Sequence, residues 1–118
     1  MKNVELRIIK FLKYMEHSSD LMVSGGSNSL QSYINYFEGF FLGIEMTYNF
    51  NIERKISQWY QDKVELKAPN MYWFAQFKLF NKDKSENEKI SLFLKTLEEF
   101  FLENNSIFEE EREPHRFK

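Results

Sequence analysis

The chain has no cysteine among its 118 residues. This absence excludes disulfides, a thiol nucleophile and thiolate metal ligands. It also gives mild support to a cytosolic protein, since secreted domains of this size often depend on disulfides.

The chain also lacks a basic excess and a long apolar run. Its net charge of −2 provides no general positive field to attract a nucleic-acid backbone. The longest apolar stretch, residues 40–46, follows Glu38 and is interrupted by Glu45, so it is too short to span a bilayer. Charged residues between Lys2 and Arg7 interrupt the apolar core that a signal peptide would need. We therefore expect a cytoplasmic protein with no membrane partner.

Aromatic residues are what the chain has in excess. They make up 18% of it, with 13 Phe alone, beside 42% hydrophobic and 29% charged residues. The length corresponds to one domain, and the composition supports a packed core and disfavours disorder. Because each Phe buries a large area, an aromatic core helps a domain this short.

Apolar residues recur at helical spacing through most of the chain, and no segment competes seriously as a strand. Ser29, Asn51 and Ser85 are suitable N-caps, and Ser85 with Glu88 matches a capping box. The chain is therefore predicted to be an all-α, single-domain bundle of about five helices with an aromatic-rich core. The predicted helices, with their caps, cover about Asn3–Glu16, Ser29–Tyr48, Asn51–Val64, Asn70–Asn81 and Ser85–Asn104.

Two of these helices carry further expectations. The fourth is apolar nearly all round, with Gln76 and Lys78 as the residues that need water, which predicts a central position in the bundle. In the second helix Gly39 and Gly43 lie on one side. The leading interpretation is that another helix crosses closely there, and the alternative is a ligand resting on the exposed backbone.

The segments outside the helices are predicted to be a loop and a tail. Residues 17–28 are rich in serine and glycine and predict a loop, with apolar residues 21–23 tucked against the core. The helical domain is predicted to cover residues 1–105, and residues 106–118 to form an acidic, flexible tail. Ile107 and Phe108 are candidates to anchor the start of that tail.

Acidic residues are concentrated in the last third of the chain. A localised acidic surface on a nearly neutral protein can steer a basic partner and add specificity. The alternative interpretation of each glutamate is an ordinary solvated helix face. The predicted partner-binding residues are Asp83, Glu86, Glu88, Glu98, Glu99 and Glu103.

Catalytic and metal-binding patterns are weak. His17 precedes Asp20 by three residues, which makes them a candidate general-base pair or the start of a metal site, but a metal needs three or four converging ligands. His115 falls in the predicted tail, where catalytic geometry is hard to hold. The aromatics fall on inward faces and do not interleave with basic residues, which disfavours direct nucleic-acid binding. We therefore expect a protein that is not an enzyme, with no catalytic residue, no cofactor and no metal.

A series of aromatic motifs resembles a known family. The order FEGFFLG at 37–43, ISQWY at 56–60, NMYW at 70–73 and LEEFF at 97–101 is similar to that in small bacterial immunity proteins. These are encoded beside polymorphic or contact-dependent growth-inhibition toxins. The resemblance covers roughly residues 30–102.

The resemblance implies a cytosolic antitoxin that binds the C-terminal toxic domain of a cognate effector, one-to-one, and blocks it without a cofactor. Several such toxins are nucleases, whose clefts are basic because they bind phosphate, so an acidic inhibitor would compete with the substrate. No motif carries the toxin contacts, and the six acids are assigned by electrostatics. On this hypothesis, charge reversal at four of them weakens binding much more than folding: Glu86, Glu88, Glu99 and Glu103.

Two alternatives stay open. The first is a helical interaction or regulatory adaptor, which would have no neighbouring toxin gene and would not protect cells. The second is a small enzyme using His17 and Asp20, in which His17→Ala would abolish activity and leave stability intact.

Overall fold

The chain forms an all-α bundle, as predicted. A computed structural model describes residues 3–17, 29–68 and 70–112, with side chains described for 4–17, 29–68 and 70–109. No strand occurs in these residues. Their helices are α1 (Asn3–His17), α2 (Leu30–Tyr48), α3 (Ile52–Val64), α4 (Trp73–Phe80), α5 (Glu86–Glu103) and α6 (Ile107–Arg112).

Three helices begin where their local sequence signals predict. The side-chain oxygens of Ser29 and Asn51 each accept the backbone N–H three residues on, at 3.2 and 3.1 Å. At α5 both halves of the capping box form, since Ser85 Oγ accepts from the Glu88 N–H and the Glu88 carboxylate accepts from the Ser85 N–H. These caps satisfy N–H groups that have no partner inside the helix.

Aromatic rings from α2, α4 and α5 meet in the centre of the bundle. Phe93 of α5 is fully buried. Its ring centroid lies 5.7 Å from that of Phe37 in α2 and 5.1 and 5.5 Å from those of Trp73 and Phe77 in α4. Rings at these separations bury a large area and add edge-to-face or stacking attraction. On another side α5 packs along α1, in the most extensive helix pair of the described residues.

Three carboxylates cap helix N-termini from distant parts of the chain. Glu53 in α3 accepts the first N–H of α4. Glu86, at the start of α5, accepts the first N–H of α2 at 2.5 Å, and Glu5 in α1 accepts the second N–H of α6 at 2.9 Å. A carboxylate at these positions pairs with an orphan donor and with the positive end of the helix dipole. These contacts fix helix ends against neighbouring helices.

Helix α4 begins at Trp73, three residues after the predicted start at Asn70. Gln76 was expected to face water, but it is fully buried. Its Nε2 donates to the Met71 carbonyl at 2.8 Å and to Ser57 Oγ at 2.7 Å. These bonds tie the Met71 carbonyl and Ser57 of α3 to the buried side of α4, and residues 70–72 are not helical.

The prediction that α4 is central on all sides is wrong. Trp73, Phe74 and Phe77 are buried, but three apolar residues at the helix and its N-cap are exposed. The exposed fractions are 74% for Tyr72, 47% for Leu79 and 52% for Phe80. The helix therefore lies at the edge of the bundle with one side in solvent.

The segment predicted as a flexible tail begins with a helix. Ile107 and Phe108 in the first turn of α6 are buried, which agrees with the anchoring expected of them. The Phe108 ring lies 4.8 Å from Tyr48, 5.7 Å from Phe50 and 6.3 Å from Phe101. The first turn of α6 is therefore not a solvated tail, because its apolar side chains close one end of the core.

Some expectations fall outside the described residues. The predicted loop is one, apart from His17, which is the last residue of α1. Residues 113–118 of the predicted tail are another. None of the helices in the described ranges combines the length and the apolar character that crossing a bilayer requires.

Candidate partner-binding surface

Two of the six predicted acids contact α3. Glu99 Oε2 lies 2.6 Å from Lys63 Nζ, and Glu103 Oε1 accepts a hydrogen bond from Trp59 Nε1 at 2.8 Å. The Lys63 ammonium also lies 5.5 Å from the Trp59 ring centroid. This small cluster joins α3 to α5 on the surface, where each ion pair is worth at most about 1 kcal/mol.

The other four acids lie in different places. Glu98 faces α1, with Oε2 2.5 Å from Lys13 Nζ. Glu86 caps α2 and Glu88 closes the capping box of its own helix. Asp83 is exposed in the turn before α5. The structure therefore does not gather the six acids on one surface, and five of them have partners within the molecule.

Of the two residues of the enzyme alternative, the structure describes only His17. His17 is exposed at the end of α1, and Asp20 and His115 lie outside the described residues. Among the residues that the structure describes, no three His, Asp or Glu side chains are grouped as a metal site would need.

The solvent face of α2 is unusually smooth and apolar. Gly39, Leu42, Gly43 and Met46 are spaced i, i+3, i+4 and i+7, so they share one side of the helix, and all are exposed. A Cβ at either glycine would meet no heavy atom within 4 Å, so the predicted close helix crossing is wrong. Leu42 is 56% and Met46 78% exposed. We call these four residues the α2 face.

A groove with three pockets borders the α2 face. Each pocket includes Tyr72, which lies at the start of α4 beside α2 and α3. The largest, of about 640 Å³, runs along α3 past Arg54 and Asp62. The third, of about 510 Å³, shares Leu42 with the α2 face. Both volumes fall in the range of ordinary ligand pockets.

The 510 Å³ pocket is acidic with an aromatic lining. It is lined by Glu38 and Glu45 from α2, Glu53 from α3, and the rings of Phe41, Tyr72 and Phe74. The Phe41 and Phe74 rings stack at 5.8 Å with an interplanar angle of 15°. In the described part of the chain no lysine or arginine lines it. We call it the acidic pocket.

Local bonds fix the position of Tyr72 in this pocket. Its carbonyl accepts the N–H groups of Ala75 and Gln76, both at 3.1 Å. The next N–H, that of Trp73, is bound by the Glu53 carboxylate. Burial raises the pKa of Glu53, although this N–H and the nearby Arg54 lower it. The peptide group between Tyr72 and Trp73 is thus held at both its carbonyl and its N–H, and the Tyr72 ring stays 74% exposed.

Sequence reasoning missed this surface. Glu38 and Glu45 are isolated acids in an apolar helix, and Glu53 lies in a different helix, so no run of charge marks them. The one available signal was the pair of glycines in α2, since glycine costs about 1 kcal/mol in a helix interior. The alternative reading of that pair, an exposed backbone available to a ligand, agrees with their open surroundings.

Comparison of the chain with family models, with curated proteins and with solved structures gives no match.

Proposed function

We propose that this chain is a small helical immunity protein. It binds the C-terminal toxic domain of a cognate bacterial toxin, one-to-one, and neutralises it by covering the active site. The observation that carries the proposal is the α2 face, which places two glycines and two exposed apolar side chains beside the acidic pocket. Exposed apolar surface with a polar border is typical of protein-binding sites.

The toxic domain in this proposal is a nuclease. Its cleft is basic because it must bind phosphate, so an acidic, partly apolar surface complements it. On the α2 face the two glycines let the partner approach the helix backbone, and Leu42 and Met46 provide apolar contact. The carboxylates of the acidic pocket attract the basic cleft. Inhibition by occlusion needs no cofactor, and the inhibitor itself need not bind nucleic acid or a membrane.

The contact surface proposed here differs from the six acids of the last third. Glu86, Glu88, Glu99 and Glu103 have partners within the molecule, so charge reversal there would alter stability as well as the surface. Glu38 and Glu45 are exposed, which makes them a cleaner test of an acidic contact.

The direct test is calorimetry with the C-terminal domain of the protein encoded immediately upstream. The proposal expects a nanomolar one-to-one complex, and co-expression should silence the toxicity of that domain. A measured absence of binding would contradict it and favour the alternative, a helical interaction or regulatory adaptor with no toxin partner.

A second experiment tests the contact surface. The double variant Leu42→Lys/Met46→Lys should weaken the complex at least a hundredfold, because it places two charges in an apolar contact. Leu102→Lys is the matched control, since Leu102 is 45% exposed on α5, away from this groove. If Leu102→Lys weakens the complex and the double variant binds with full affinity, the toxic domain contacts a surface other than the α2 face.

A further inference from the structure

The acidic pocket has the chemistry of a receptor for a positively charged side chain. Three carboxylates, Glu38, Glu45 and Glu53, line it, and no lysine or arginine of the described residues does, although Arg54 lies near Glu53. The largest pocket of the groove, by contrast, has Arg54 beside its acids. A side chain that enters the acidic pocket therefore meets a net negative site.

The lining favours a flat cation. Tyr72 is held at its backbone and presents an exposed ring. Phe41 and Phe74, which are largely buried and stack on each other, complete the aromatic lining. A guanidinium group is planar, stacks on aromatic faces and donates two parallel hydrogen bonds to a carboxylate. An ammonium group is a compact, strongly hydrated charge and gains less from such a lining.

The position of the pocket points to a protein as the source of the cation. Leu42 belongs both to the pocket lining and to the α2 face, so apolar contact surface continues from one to the other. Met46, on the same face, is 78% exposed. A free small cation would use the pocket and leave this apolar face in water, whereas a protein segment would cover both.

We propose that the acidic pocket binds an arginine side chain of the protein partner, which lies between the carboxylates and over Tyr72 while the neighbouring partner surface covers the α2 face. This inference rests on the proposed function for the identity of the partner and adds the chemistry of its central contact. Arginine anchors are common at the centres of protein interfaces.

The pocket can be tested without the toxin. The probe is an acetylated and amidated tri-arginine peptide, titrated into the isotopically labelled full chain and followed by amide chemical shifts. We expect saturable shifts centred on Tyr72 and the acidic pocket, and affinity at least threefold lower for the matching tri-lysine peptide. Equal affinity for the two peptides would overturn the assignment of a guanidinium.

Two charge-neutral variants locate the binding site. Glu38→Gln/Glu45→Gln removes two exposed charges from the pocket and should weaken tri-arginine binding at least tenfold. Asp83→Asn, an exposed acid in the turn before α5, is the matched control and should change it less than twofold. If Asp83→Asn weakens tri-arginine binding as much as the double variant does, the peptide responds to net charge alone and the assignment of the acidic pocket is wrong. Thermal melts of each variant check the fold.

The same variants separate this inference from the proposed function. If the toxic domain binds the Glu38→Gln/Glu45→Gln variant as tightly as the natural chain, the arginine contact is wrong and the immunity function stands. If tri-arginine binds at the pocket and the toxic domain does not bind the chain, the pocket chemistry stands and the immunity function fails.

Discussion

Glu5 is a charged residue in the interior of the bundle. It is fully buried, and its carboxylate accepts the Phe108 N–H at 2.9 Å. We expect Glu5→Ala to lower the free energy of unfolding by about 2 kcal/mol, because it leaves a buried N–H without a partner. Urea denaturation measures this change.

Two controls accompany the Glu5 prediction. Glu5→Gln keeps an acceptor oxygen and should cost less than Glu5→Ala. Arg7→Ala, on the exposed side of the same helix, should change the free energy of unfolding by less than about 0.5 kcal/mol. A Glu5→Ala variant as stable as Arg7→Ala would show that the cap contributes nothing.

Substitution of Gly39 or Gly43 is expected to raise the free energy of unfolding, unlike substitution of Glu5. Neither has a positive φ and a Cβ at either would meet open space, so alanine fits without strain. Each substitution to alanine should stabilise the fold by about 0.5–1 kcal/mol, because alanine loses less backbone entropy in a helix. Under the proposed function, the double variant Gly39→Ala/Gly43→Ala should bind the toxic domain more weakly, since its added methyl groups hold the partner away from the backbone.

The measurement for the glycines is a pair of assays on the same protein. Thermal unfolding reports the stability and calorimetry reports the affinity. A double variant that is more stable and binds with unchanged affinity would show that the smooth backbone of α2 has no part in the contact.

At the scale of elements, the contact between α1 and α5 contains a cluster of two glutamates and two lysines. Glu16 and Glu98 face each other across the two helices, with Lys95 Nζ 3.7 Å from Glu16 and Lys13 Nζ 2.5 Å from Glu98. Burial raises the pKa of Glu16 to about 7, and hydrogen bonding with Glu98 and repulsion from it add to the rise. Burial also raises the pKa of Glu98, but its hydrogen bonds with Glu16 and Lys13 lower it more, so Glu98 stays ionised.

This cluster predicts that stability falls as the pH rises from 4.5 to about 7. The reason is that the folded chain binds the Glu16 proton more tightly than the unfolded chain, in which the pKa of Glu16 has its ordinary value of 4.5. Glu16→Gln keeps a hydrogen-bond donor toward Glu98 and cannot ionise. Its free energy of unfolding should therefore depend less on pH, and it should exceed that of the natural chain at pH 8.

The comparison with Glu16→Gln isolates this residue from other titrating groups. The raised pKa of Glu53 acts in the same direction, whereas the lowered pKa values of Glu88 and Glu98 act below pH 4.5. Parallel pH profiles of the natural chain and the variant, measured by urea denaturation, would exclude Glu16 as the source.

The elements also show how far local sequence can predict a helix. The starts of α2, α3 and α5 follow from cap residues three positions from the N–H they bind. The start of α4 does not, because it depends on a carboxylate of α3 and on the buried Gln76. A pattern of apolar residues cannot locate such a start, since Glu53 and Ser57, the partners of Trp73 and Gln76, lie in another helix.

For the whole molecule, α6 is the element that closes the core. Phe108 contacts rings of α2, α5 and the connection after α2, and its N–H is capped from α1. Phe108→Ala should therefore lower the free energy of unfolding by about 3–5 kcal/mol, the usual range for a buried Phe. Chemical denaturation measures this loss.

Phe108→Leu is the control for that loss. It retains most of the apolar volume and should cost clearly less than Phe108→Ala. If both variants unfold at the same denaturant concentration as the natural chain, the Phe108 ring contributes nothing to the stability of the core.

The sequence by itself determined the fold class, the aromatic core and the starts of three helices, because caps and helical periodicity act between residues at most a few positions apart. It placed five of the six acids in the helix that became α5 but could not assign their partners. The tertiary structure alone decided that Glu5 is buried, that Gln76 lies inside the bundle and that the α2 face and the acidic pocket are open. Each of these depends on contacts between distant parts of the chain, such as the 103 positions that separate Glu5 from Phe108, and packing brings those parts together.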